Sequence, residues 1–554
     1  MKVIAAMQVD LDTTPLGTKS RLGTEIGGEP VLRRTIGRLQ STTRARDIFV
    51  LCPTPQEERC QRLIDGTGAM LMPFSGAAPP WRQLVASARK WSLDGWRGGI
   101  GGALSFDEFV DCRLLAGLLD SAPADAVLCV PPDAPLLSPE LADGMIELLE
   151  ATADDSRMIF SQAPPGLAGL LMQDDLVREL AGQNMPVGWV FSYKPDTPQK
   201  DLIFLPCCYE VPPELRYASG RLVADTDRSM RRIADLITAH PNADVRTIGT
   251  WLQQRDAAFV EPRPREVEIE LTTDDPFPNT LLRPRGDRVP RRGPIAIDVV
   301  ERITRELCHD DDALILLGGF GDPLRHPQLA EVLACIHRTA AEAGAGTSLG
   351  LCVRTAGVDL TDATIDLLIE HGVDVLQVSL DAWSPELFGR LHAPDDPERA
   401  DLGGVCAKLD RLAARREALR SVRPILVPDF IKAKDNLDEM DAFHDGWIRR
   451  HGAVSITGFC HHAMQCEDRS VMRMAPPLRT ACRRMNTRCV VLADGSVTMC
   501  DQDFTGRHAI GRIGAATLEQ LWAGPGMEAL RDDHRRGAFD AVPLCRQCDE
   551  WHRP

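Results

Sequence analysis

Uninterrupted apolar runs alternate with amphipathic stretches along the first 262 residues. The apolar runs are VIAAMQV (3–9), DIFVLCP (47–53) and AVLCVPP (126–132). The amphipathic stretches are PVLRRTIGRLQ (30–40), EERCQRLIDG (57–66) and CRLLAGLLDSA (112–122). Short runs that are apolar throughout are typical of strands buried on both faces of a sheet. The alternation therefore predicts a doubly wound α/β domain over residues 1–262.

The same alternation starts again after residue 263. The further strand candidates are VEIELT (267–272), ALILLGG (313–319), SLGLCVR (348–354), DVLQVSL (374–380), RPILVPDF (423–430) and AVSITGF (453–459). Helical stretches separate them, among them TDATIDLLIEHG (361–372), which has Gly372 as its stop signal. Six successive β-then-α units predict a (βα)6 partial TIM-like barrel over residues 263–466, with its working end at the C-terminal edge of the strands.

The pattern breaks at residue 467. The remaining segment, 467–554, is rich in cysteine, with short strands expected around a DGSV turn (494–497) and a helix near TLEQLWAG (517–524). A segment this short is held together more readily by a metal site than by an apolar core of its own. We therefore expect a small cysteine-rich α+β domain here.

Composition and charge narrow the classes of protein. The chain has 554 residues, which corresponds to about three or four domains. Its formal net charge of −17 argues against a protein built to bind nucleic acid or an anionic membrane. No apolar run approaches the ~20 residues of a membrane span, and the N-terminus turns acidic too early for a signal peptide. The 17 cysteines are too few for a disulfide scaffold of this size, so we expect a cytoplasmic protein whose clustered cysteines bind metal.

The strongest chemical signal is a set of four cysteines near the C-terminus. Cys482 is followed by twelve residues, Gly495, four residues and Cys500, and a CxxC pair comes later at Cys545 and Cys548. A CxxC pair presents two thiolates from one tight turn, and a hairpin at Gly495 can supply two more. Four thiolates suit an iron–sulfur cluster or a tetrahedral zinc ion, and the spacing alone leaves open these two and a site without metal.

This segment, residues 482–551, resembles the SPASM domain, the auxiliary-cluster module appended to many radical SAM enzymes. The resemblance rests on C-x12-G-x4-C, a DxxF segment, a GRIG turn, LEQLWAG and CRQC. It implies a single [4Fe–4S] cluster held by Cys482, Cys500, Cys545 and Cys548.

Three other cysteines lie near this set. Cys489 is expected to be a small buried residue inside a strand. Cys460 and Cys466 enclose two histidines in a CHHxxxC segment, which reads either as a second metal site or as a loop. The loop is favoured because this spacing fits no standard metal site.

Residues 263–465 resemble the core of radical SAM enzymes. The opening strand VEIELTT (267–273), the glycine-rich GGFGDPLRHP (318–327) and QVSLDAWSPELFGRL (377–391) carry this resemblance. The family holds a cluster on C-x3-C-x2-C after its first strand, whereas this chain has DDPFPNTLLRPRG (274–286) there, without cysteine. The cofactor rather than the protein performs such chemistry. We therefore expect a degenerate core that does not cleave SAM.

The resemblance also implies a SAM-binding edge, because the family's glycine-rich loop and its acidic residue hold the SAM amino group. The corresponding residues of this chain are Gly319, Gly321, Asp322, Ser379 and Asp381. Residual SAM binding without cleavage is one reading of them. The other is that Asp322 and the glycines only maintain the fold of the loop.

Residues 1–262 resemble nucleotide-diphospho-sugar transferases, in particular the cytidylyltransferase-like proteins of spore-coat and surface polysaccharide synthesis. IGGEPVLRRTIGRL (26–39), VLCVPPDAPLLSPELAD (127–143) and VADTDRSMRRIADLI (223–237) carry the resemblance. It implies a Mg²⁺ ion with a nucleoside triphosphate, held by Asp133 and Asp225. Taken singly, these acids would equally fit a turn residue and a helix cap.

The phosphate-binding loop departs from that family. The chain has DTTPLGTKSRLG (12–23) where the family has GSTRLPGK, so Lys19 and Arg21 are the candidate catalytic cations. Glu29 stands where the family commonly has a lysine, and a carboxylate there repels a phosphate. Whether this domain is catalytic is therefore open.

These features lead to three hypotheses. The first is an iron–sulfur protein of radical SAM/SPASM type fused to a nucleotidyltransferase-like domain, in sugar-nucleotide or surface-polysaccharide metabolism, with a small nucleotide or sugar as ligand. The second is a non-catalytic binding or scaffold protein with a structural metal cluster. The third, an active radical SAM enzyme, conflicts with the missing cysteines. Fold analogy alone does not choose a substrate or a protein partner.

Overall fold

The structure is a computed structural model, and it describes residues 1–92, 100–216, 218, 220–258 and 260–553. Contacts within the chain divide it into two compact units, Met1–Asp256 and Ala257–Pro554. Each unit has an apolar core of its own. Among the described helices, none combines the length and the apolar character needed to cross a bilayer. The three-part division at residues 262 and 466 remains a prediction.

The first unit is a mixed α/β fold. Its strands are β1 (Val3–Gln8), β2 (Glu25–Ile26), β3 (Glu29–Pro30), β4 (Ala45–Pro53), β5 (Met70–Phe74), β6 (Ala126–Cys129), β7 (Met158–Ser161), β8 (Leu170–Gln173) and β9 (Cys208–Tyr209). Its helices are α1 (Val31–Gln40), α2 (Glu57–Ile64), α3 (Arg82–Ser92), α4 (Cys112–Ser121), α5 (Pro139–Thr152), α6 (Asp174–Gln183), α7 (Gly188–Phe191), α8 (Pro213–Arg216), α9 (Asp227–Ala239) and α10 (Val245–Ala258). The main sheet has the order β5-β4-β1-β6-β8-β7-β9.

Strand β1 lies in the middle of this sheet, parallel to β4 and β6. These strands and helices α1, α2 and α4 confirm the elements predicted from the apolar pattern. The sheet is not parallel throughout, because β8 runs antiparallel to β6 and β7. A run that is apolar on both faces has the same pattern in either strand direction, so the sequence does not reveal this reversal.

The second unit is also mixed α/β. Its strands are β10 (Glu266–Glu270), β11 (Leu314–Gly318), β12 (Gly350–Thr355), β13 (Val375–Ser379), β14 (Ile425–Lys432), β15 (Ser455–Gly458), β16 (Arg488–Val491), β17 (Ser496–Thr498) and β18 (Ala509–Arg512). Its helices are α11 (Ile297–Leu307), α12 (Leu329–Glu342), α13 (Asp362–Glu370), α14 (Pro385–His392), α15 (Leu402–Ala418), α16 (Met440–His451), α17 (Leu518–Trp522), α18 (Pro525–Arg535) and α19 (Pro543–Arg546). Its sheet has the order β15-β14-β13-β12-β11-β10-β16-β17-β18.

Strands β10 to β15 are parallel neighbours in chain order, with at least one helix between each consecutive pair. Five of the six predicted β-then-α units are present among the described residues, because the chain passes from β15 to β16 without an α-helix, and closure into a partial barrel remains a prediction. Their C-terminal ends share one edge, where loops of α/β proteins place their ligands. Helix α13 begins after Thr361, whose hydroxyl accepts from the Thr364 N–H over 3.1 Å, and it ends before Gly372, with φ +66°.

The C-terminal strands extend the same sheet. Strand β16 lies parallel to β10, with Cys489 opposite Val267. Cys489 is 1% exposed, which confirms it as a buried strand residue. Strands β16 and β17 form an antiparallel hairpin whose turn needs the positive φ of Gly495, +85°. This hairpin places Cys500 two residues beyond the end of β17.

Candidate functional site

The four C-terminal cysteines come together from separate elements. Cys482 precedes β16, Cys500 follows β17, Cys545 lies in α19 and Cys548 comes just after it. All four line one cavity. The apolar side chains around the same cavity are Met485, Met499, Leu530, Leu544 and Trp551. The four predicted ligands therefore surround a common space.

Hydrogen bonds fix the chain at these cysteines. The Cys548 N–H donates to the Cys545 carbonyl over 3.2 Å, which closes the CxxC turn. The Glu550 N–H donates to Cys548 Sγ over 3.3 Å. The Cys482 N–H donates to His534 Nδ1 over 3.2 Å, so this histidine holds the backbone of the ligand segment. An N–H group aimed at sulfur favours the thiolate, the form that binds metal.

Burial disfavours ionisation of these thiols when nothing compensates their charge. It raises the pKa of Cys545 and of Cys548 to about 12, and the thiols of Cys548 and Cys482 add to the rise at Cys545. Burial likewise raises the pKa of Cys482 and Cys500. Buried thiols within electrostatic reach of one another ionise together only when a cation binds them. The donor set therefore fits a metal centre.

Two arginines supply positive charge beside this set. Arg484 lines the cavity and pairs with Asp501 over 2.6 Å. Arg479 also lines it and donates from Nη2 to the Cys545 carbonyl over 2.7 Å. Four thiolates around an iron–sulfur cluster leave a net negative charge, which Arg479 is placed to offset, whereas Arg484 is already balanced by Asp501.

The CHHxxxC segment is a turn, as expected. Cys460 donates from Sγ to Gln502 Oε1 over 3.3 Å, and the His461 ring lies 3.4 Å from Asp549. His462 begins a stretch of positive φ angles, 49°, 55° and 62°. Across the described chain, no three His, Cys, Asp or Glu side chains are placed to hold a single metal ion.

At the edge of the second sheet, two arginines of the segment after β10 pair with carboxylates. Arg283 donates from Nη2 to Asp429 Oδ2 over 3.0 Å and also pairs with Asp381. Arg285 pairs with Asp275 over 3.1 Å. Burial raises the pKa of Asp275 to about 6, although Arg285 opposes the rise. This segment therefore supplies ion pairs at the sheet edge.

The acidic residues predicted to bind SAM are engaged within the chain. The Asp322 carboxylate, 2% exposed, accepts hydrogen bonds of 2.8–3.0 Å from the Leu324 N–H, the Ala356 N–H and the Thr355 hydroxyl. Asp381 is fully buried and pairs with Arg283. These carboxylates hold loops of the sheet edge in place, which agrees with the structural reading of Asp322.

The glycines at this edge allow close approach of the backbone. A Cβ on Gly319 would lie 2.5 Å from Glu270 Cβ, and one on Gly321 would lie 2.3 Å from the Thr272 carbonyl oxygen. Ser379 borders a cavity of about 20 Å³, which holds about one water molecule. SAM does not fit this space, so SAM binding at the five predicted residues remains a prediction that requires the edge to open.

The first unit contains a cavity of about 1150 Å³ beyond the C-terminal ends of β1 and β6. Asp133 lines it, but the loop after β1 contributes Ser20 and Leu22, not Lys19 or Arg21, to the described lining. Arg21 instead pairs with Asp227 over 2.8 Å, and Lys19 is exposed.

Lys19 and Arg21 do not line this cavity, and their role at a phosphate remains a prediction. Glu29, predicted to face the phosphate, pairs with Arg34 over 3.5 Å.

Asp225 is paired with an arginine. Arg221 donates from Nε over 2.9 Å and from Nη2 over 2.7 Å to Asp225 Oδ2, and it also pairs with Glu108. Burial works against the Arg221 cation, but Asp225 and Glu108 outweigh it and raise its pKa above the usual value. The carbonyl of Asp133 accepts from the Ala224 N–H over 2.7 Å, which keeps Asp133 beside this pair.

A second arginine adjoins the same acids. Arg89, 2% exposed, lies 3.7 Å from Glu108 and 3.8 Å from Asp225. Burial and the nearby Asp225 raise the pKa of Asp133 to about 7. A magnesium ion needs carboxylate oxygens that face it without a competing cation. The donor set at Asp133 and Asp225 therefore does not fit Mg²⁺, because Arg221 already occupies the carboxylate.

Sequence reasoning missed Glu108, Arg89 and Arg221. Glu108 ends a 3-10 helix, Ser105–Glu108, and Arg89 lies in α3, and neither stands in a motif. The available signal was the four-residue spacing of Arg221 and Asp225, which pairs charges on a helix, but this segment is not helical.

Comparison with protein families matches one part of the chain. Residues 482–549 match the SPASM family model, described as an iron–sulfur cluster-binding domain. This confirms the SPASM expectation for the C-terminal segment. An uncharacterized protein of Treponema pallidum (strain Nichols) is 25% identical over 346 residues, 59% of this chain and 86% of that protein.

Solved structures resemble parts of the chain at low identity. BtrN in complex with AdoMet and 2-DOIA is 15% identical over 51% of this chain and 92% of its own, with a TM-score of 0.34. Streptococcus suis SuiB bound to precursor peptide SuiA is 11% identical over 58% of this chain and 75% of its own, with a TM-score of 0.40. A cytidylyltransferase from Leptospira borgpetersenii serovar Hardjo-bovis (strain JB197) is 13% identical over 46% of this chain and 93% of its own, with a TM-score of 0.33.

Proposed function

We propose that this chain is an iron–sulfur protein that holds one [4Fe–4S] cluster on the four C-terminal cysteines. The ligands are Cys482, Cys500, Cys545 and Cys548. The observation that carries this proposal is that four buried thiols from separate elements surround one cavity. The SPASM match over residues 482–549 supports the same site.

The family match favours a cluster over a zinc ion. Zinc requires its four sulfur ligands at about 2.3 Å from a single point, whereas in a [4Fe–4S] cluster each thiolate binds a different iron. The SPASM model that matches residues 482–549 is described as an iron–sulfur cluster-binding domain, which supports the cluster. When bound, it supplies folding energy and a site for one electron.

The barrel-like part of the chain has a structural role in this proposal. Arg283 and Arg285 hold the C-terminal edge of the strands closed against buried carboxylates. We therefore assign no cleavage of SAM to this chain. The strand order supports a partial barrel, and the residues that resemble the radical SAM core maintain its loops.

The cavity of the first unit is the proposed site for a small sugar or nucleotide. Its volume of about 1150 Å³ suits such a ligand, and Phe106, Phe160 and Phe191 line it with apolar faces. The resemblance of residues 26–39 and 127–143 supports a place in sugar-nucleotide or surface-polysaccharide metabolism. No disulfide joins the cysteines of the described chain, which supports a cytoplasmic location.

A second candidate is a non-catalytic binding protein with a structural cluster. The pairing of Arg221 with Asp225 favours it, because nucleotidyl transfer relies on a metal ion at the triphosphate. Pyrophosphate release from CTP with a sugar phosphate would select the catalytic candidate, and its absence the binding protein.

The deciding experiment measures iron, sulfide and zinc in full-length protein purified without oxygen. We expect about four irons and four sulfides per chain, with the absorption spectrum of a cluster. About eight irons, or one zinc and no sulfide, would contradict the proposal.

A further inference from the structure

We propose that the guanidinium of Arg221 takes the place of a divalent cation in the cavity of the first unit, so that the cavity binds a sugar or a nucleotide of low charge without metal. This inference rests on the proposed function, which makes the cavity a ligand site. Arg221 is 3% exposed, and Asp225 is 2% exposed. A fixed cation therefore lies among the acids that the sequence pattern predicts as metal ligands.

The pairing geometry is that of a strong internal ion pair. Two nitrogens of Arg221 share Asp225 Oδ2, at 2.9 and 2.7 Å, and the same Nη2 also reaches Glu108. Charge-assisted bonds of this kind fix the side chain in one geometry. A divalent ion would have to displace a buried guanidinium to reach Asp225.

The local charges are nearly balanced without an added ion. The acids are Glu108, Asp133 and Asp225, and the bases are Arg221 and Arg89, so the sum lies between −1 and zero as Asp133 takes up a proton. A metal-bound triphosphate would have to displace this guanidinium from Asp225 and Glu108 to reach the carboxylates. The ligand class that remains is a sugar or a nucleotide without the triphosphate.

Two other arginines of the cavity wall, apart from the exposed Arg216, also face carboxylates. Arg82 lies 3.5 Å from Asp10, and Arg113 lies 2.6 Å from Asp111. Since these cations already face carboxylates, they offer little net charge to a triphosphate that arrives without metal.

Removal of Arg221 would create an acidic site around two buried carboxylate oxygens. Asp225 Oδ1 and Glu108 Oε1 are buried and accept no hydrogen bond from the described residues. Without the guanidinium, these oxygens and the Asp133 carboxyl would form an uncompensated acidic site. Such a site gains most from a hard divalent cation, which prefers oxygen ligands.

The test is a titration of the full-length protein with Mn²⁺ alone. Binding is measured as the loss of the free Mn²⁺ signal in electron paramagnetic resonance. We expect no saturable site of the first unit in the native chain, and one new site in Arg221→Met that binds at least about tenfold more tightly. Arg216→Met is the matched control, because Arg216 also lines the cavity but makes none of these contacts, and it should bind like the native chain.

Two further variants keep the result interpretable. Arg221→Lys preserves the charge and should bind no Mn²⁺, whereas a destabilised Arg221→Met should regain thermal stability when Mn²⁺ is added. Stoichiometric binding of Mn²⁺ to the native chain, if Asp225→Asn abolishes it, would overturn the inference. An increase in melting temperature that CTP produces only in the presence of Mg²⁺ would also overturn it. Neither outcome alters the iron content, so failure here is distinguishable from failure of the iron–sulfur assignment.

Discussion

Arg283 Nη2 lies 3.0 Å from Asp429 Oδ2, at the edge of the second sheet where parallel strands end. Asp429 belongs to β14, while Arg283 comes from the segment after β10, so the pair joins parts of the chain that are 146 residues apart. Asp381 also contacts this guanidinium. One arginine therefore pairs with two buried carboxylates at this edge of the sheet.

Replacement of Arg283 tests this structural role. Arg283→Ala leaves two buried carboxylates without their cation, and we expect the free energy of unfolding to fall by about 3–5 kcal/mol. Chemical denaturation measures the loss. Arg415→Ala is the control, because its pair with Asp366 is half exposed and such pairs contribute little to stability. Equal losses of unfolding free energy in the two variants would show that the buried pair stabilises the fold no more than the exposed pair.

Removal of one cluster ligand should remove the iron. In Cys545→Ala we expect the iron and sulfide to be lost and the C-terminal domain to become sensitive to protease, since the cluster supplies its folding energy. Cys308→Ser serves as the control, because Cys308 caps α11 and does not line the cluster cavity. Anaerobic metal analysis and limited proteolysis provide the two readouts. Full iron content in Cys545→Ala would exclude this residue as a ligand.

The segment after β10 predicts that the chain does not cleave SAM. With SAM and a strong reductant, the chain should release no 5′-deoxyadenosine above a control without protein, because residues 274–286 offer no thiolate to iron. Liquid chromatography of the reaction mixture is sufficient. Release that depends on the protein would mean that cysteines elsewhere in the chain assemble a second cluster.

The pH dependence of stability should carry a contribution from Asp275. Burial raises its folded pKa from 3.8 to about 6, so between these values the folded state binds more protons than the unfolded state. Stability from this group is therefore present at low pH and declines as the pH rises through about 4 to 6. Melting temperatures across this window should fall less steeply in Asp275→Asn. The exposed Asp298→Asn should leave the slope unchanged, and an unchanged slope in both variants would contradict the prediction.

The sequence predicts the strands because their signal is local. Strands β11 to β14 lie on mostly apolar runs, β10 alternates glutamates with apolar residues, and Gly372 ends its helix at the expected place. The cysteine set is equally visible, since spacing within two short segments defines it. In contrast, the direction of β8 and the turn of Arg21 toward Asp227 leave no trace in the apolar pattern.

The cation of the N-terminal cavity was hidden for a different reason. Glu108 and Arg221 are 113 residues apart, and their contact exists only after the sheet has formed. Nothing in the neighbouring residues distinguishes a buried arginine from an exposed one. Motif resemblance therefore located the acids Asp133 and Asp225, but only the packed structure shows which cation accompanies them.

The pairing of β16 with β10 predicts that the stability of the newly made chain depends on the supply of iron. Strand β16 lies between cysteines that we propose as cluster ligands, and it pairs with the edge of β10. A chain that receives no iron would leave that edge open, and an unpaired strand edge is a template for pairing between molecules. We expect cells deprived of iron to clear this protein by proteolysis or to lose it to aggregates, so that its abundance follows the metal.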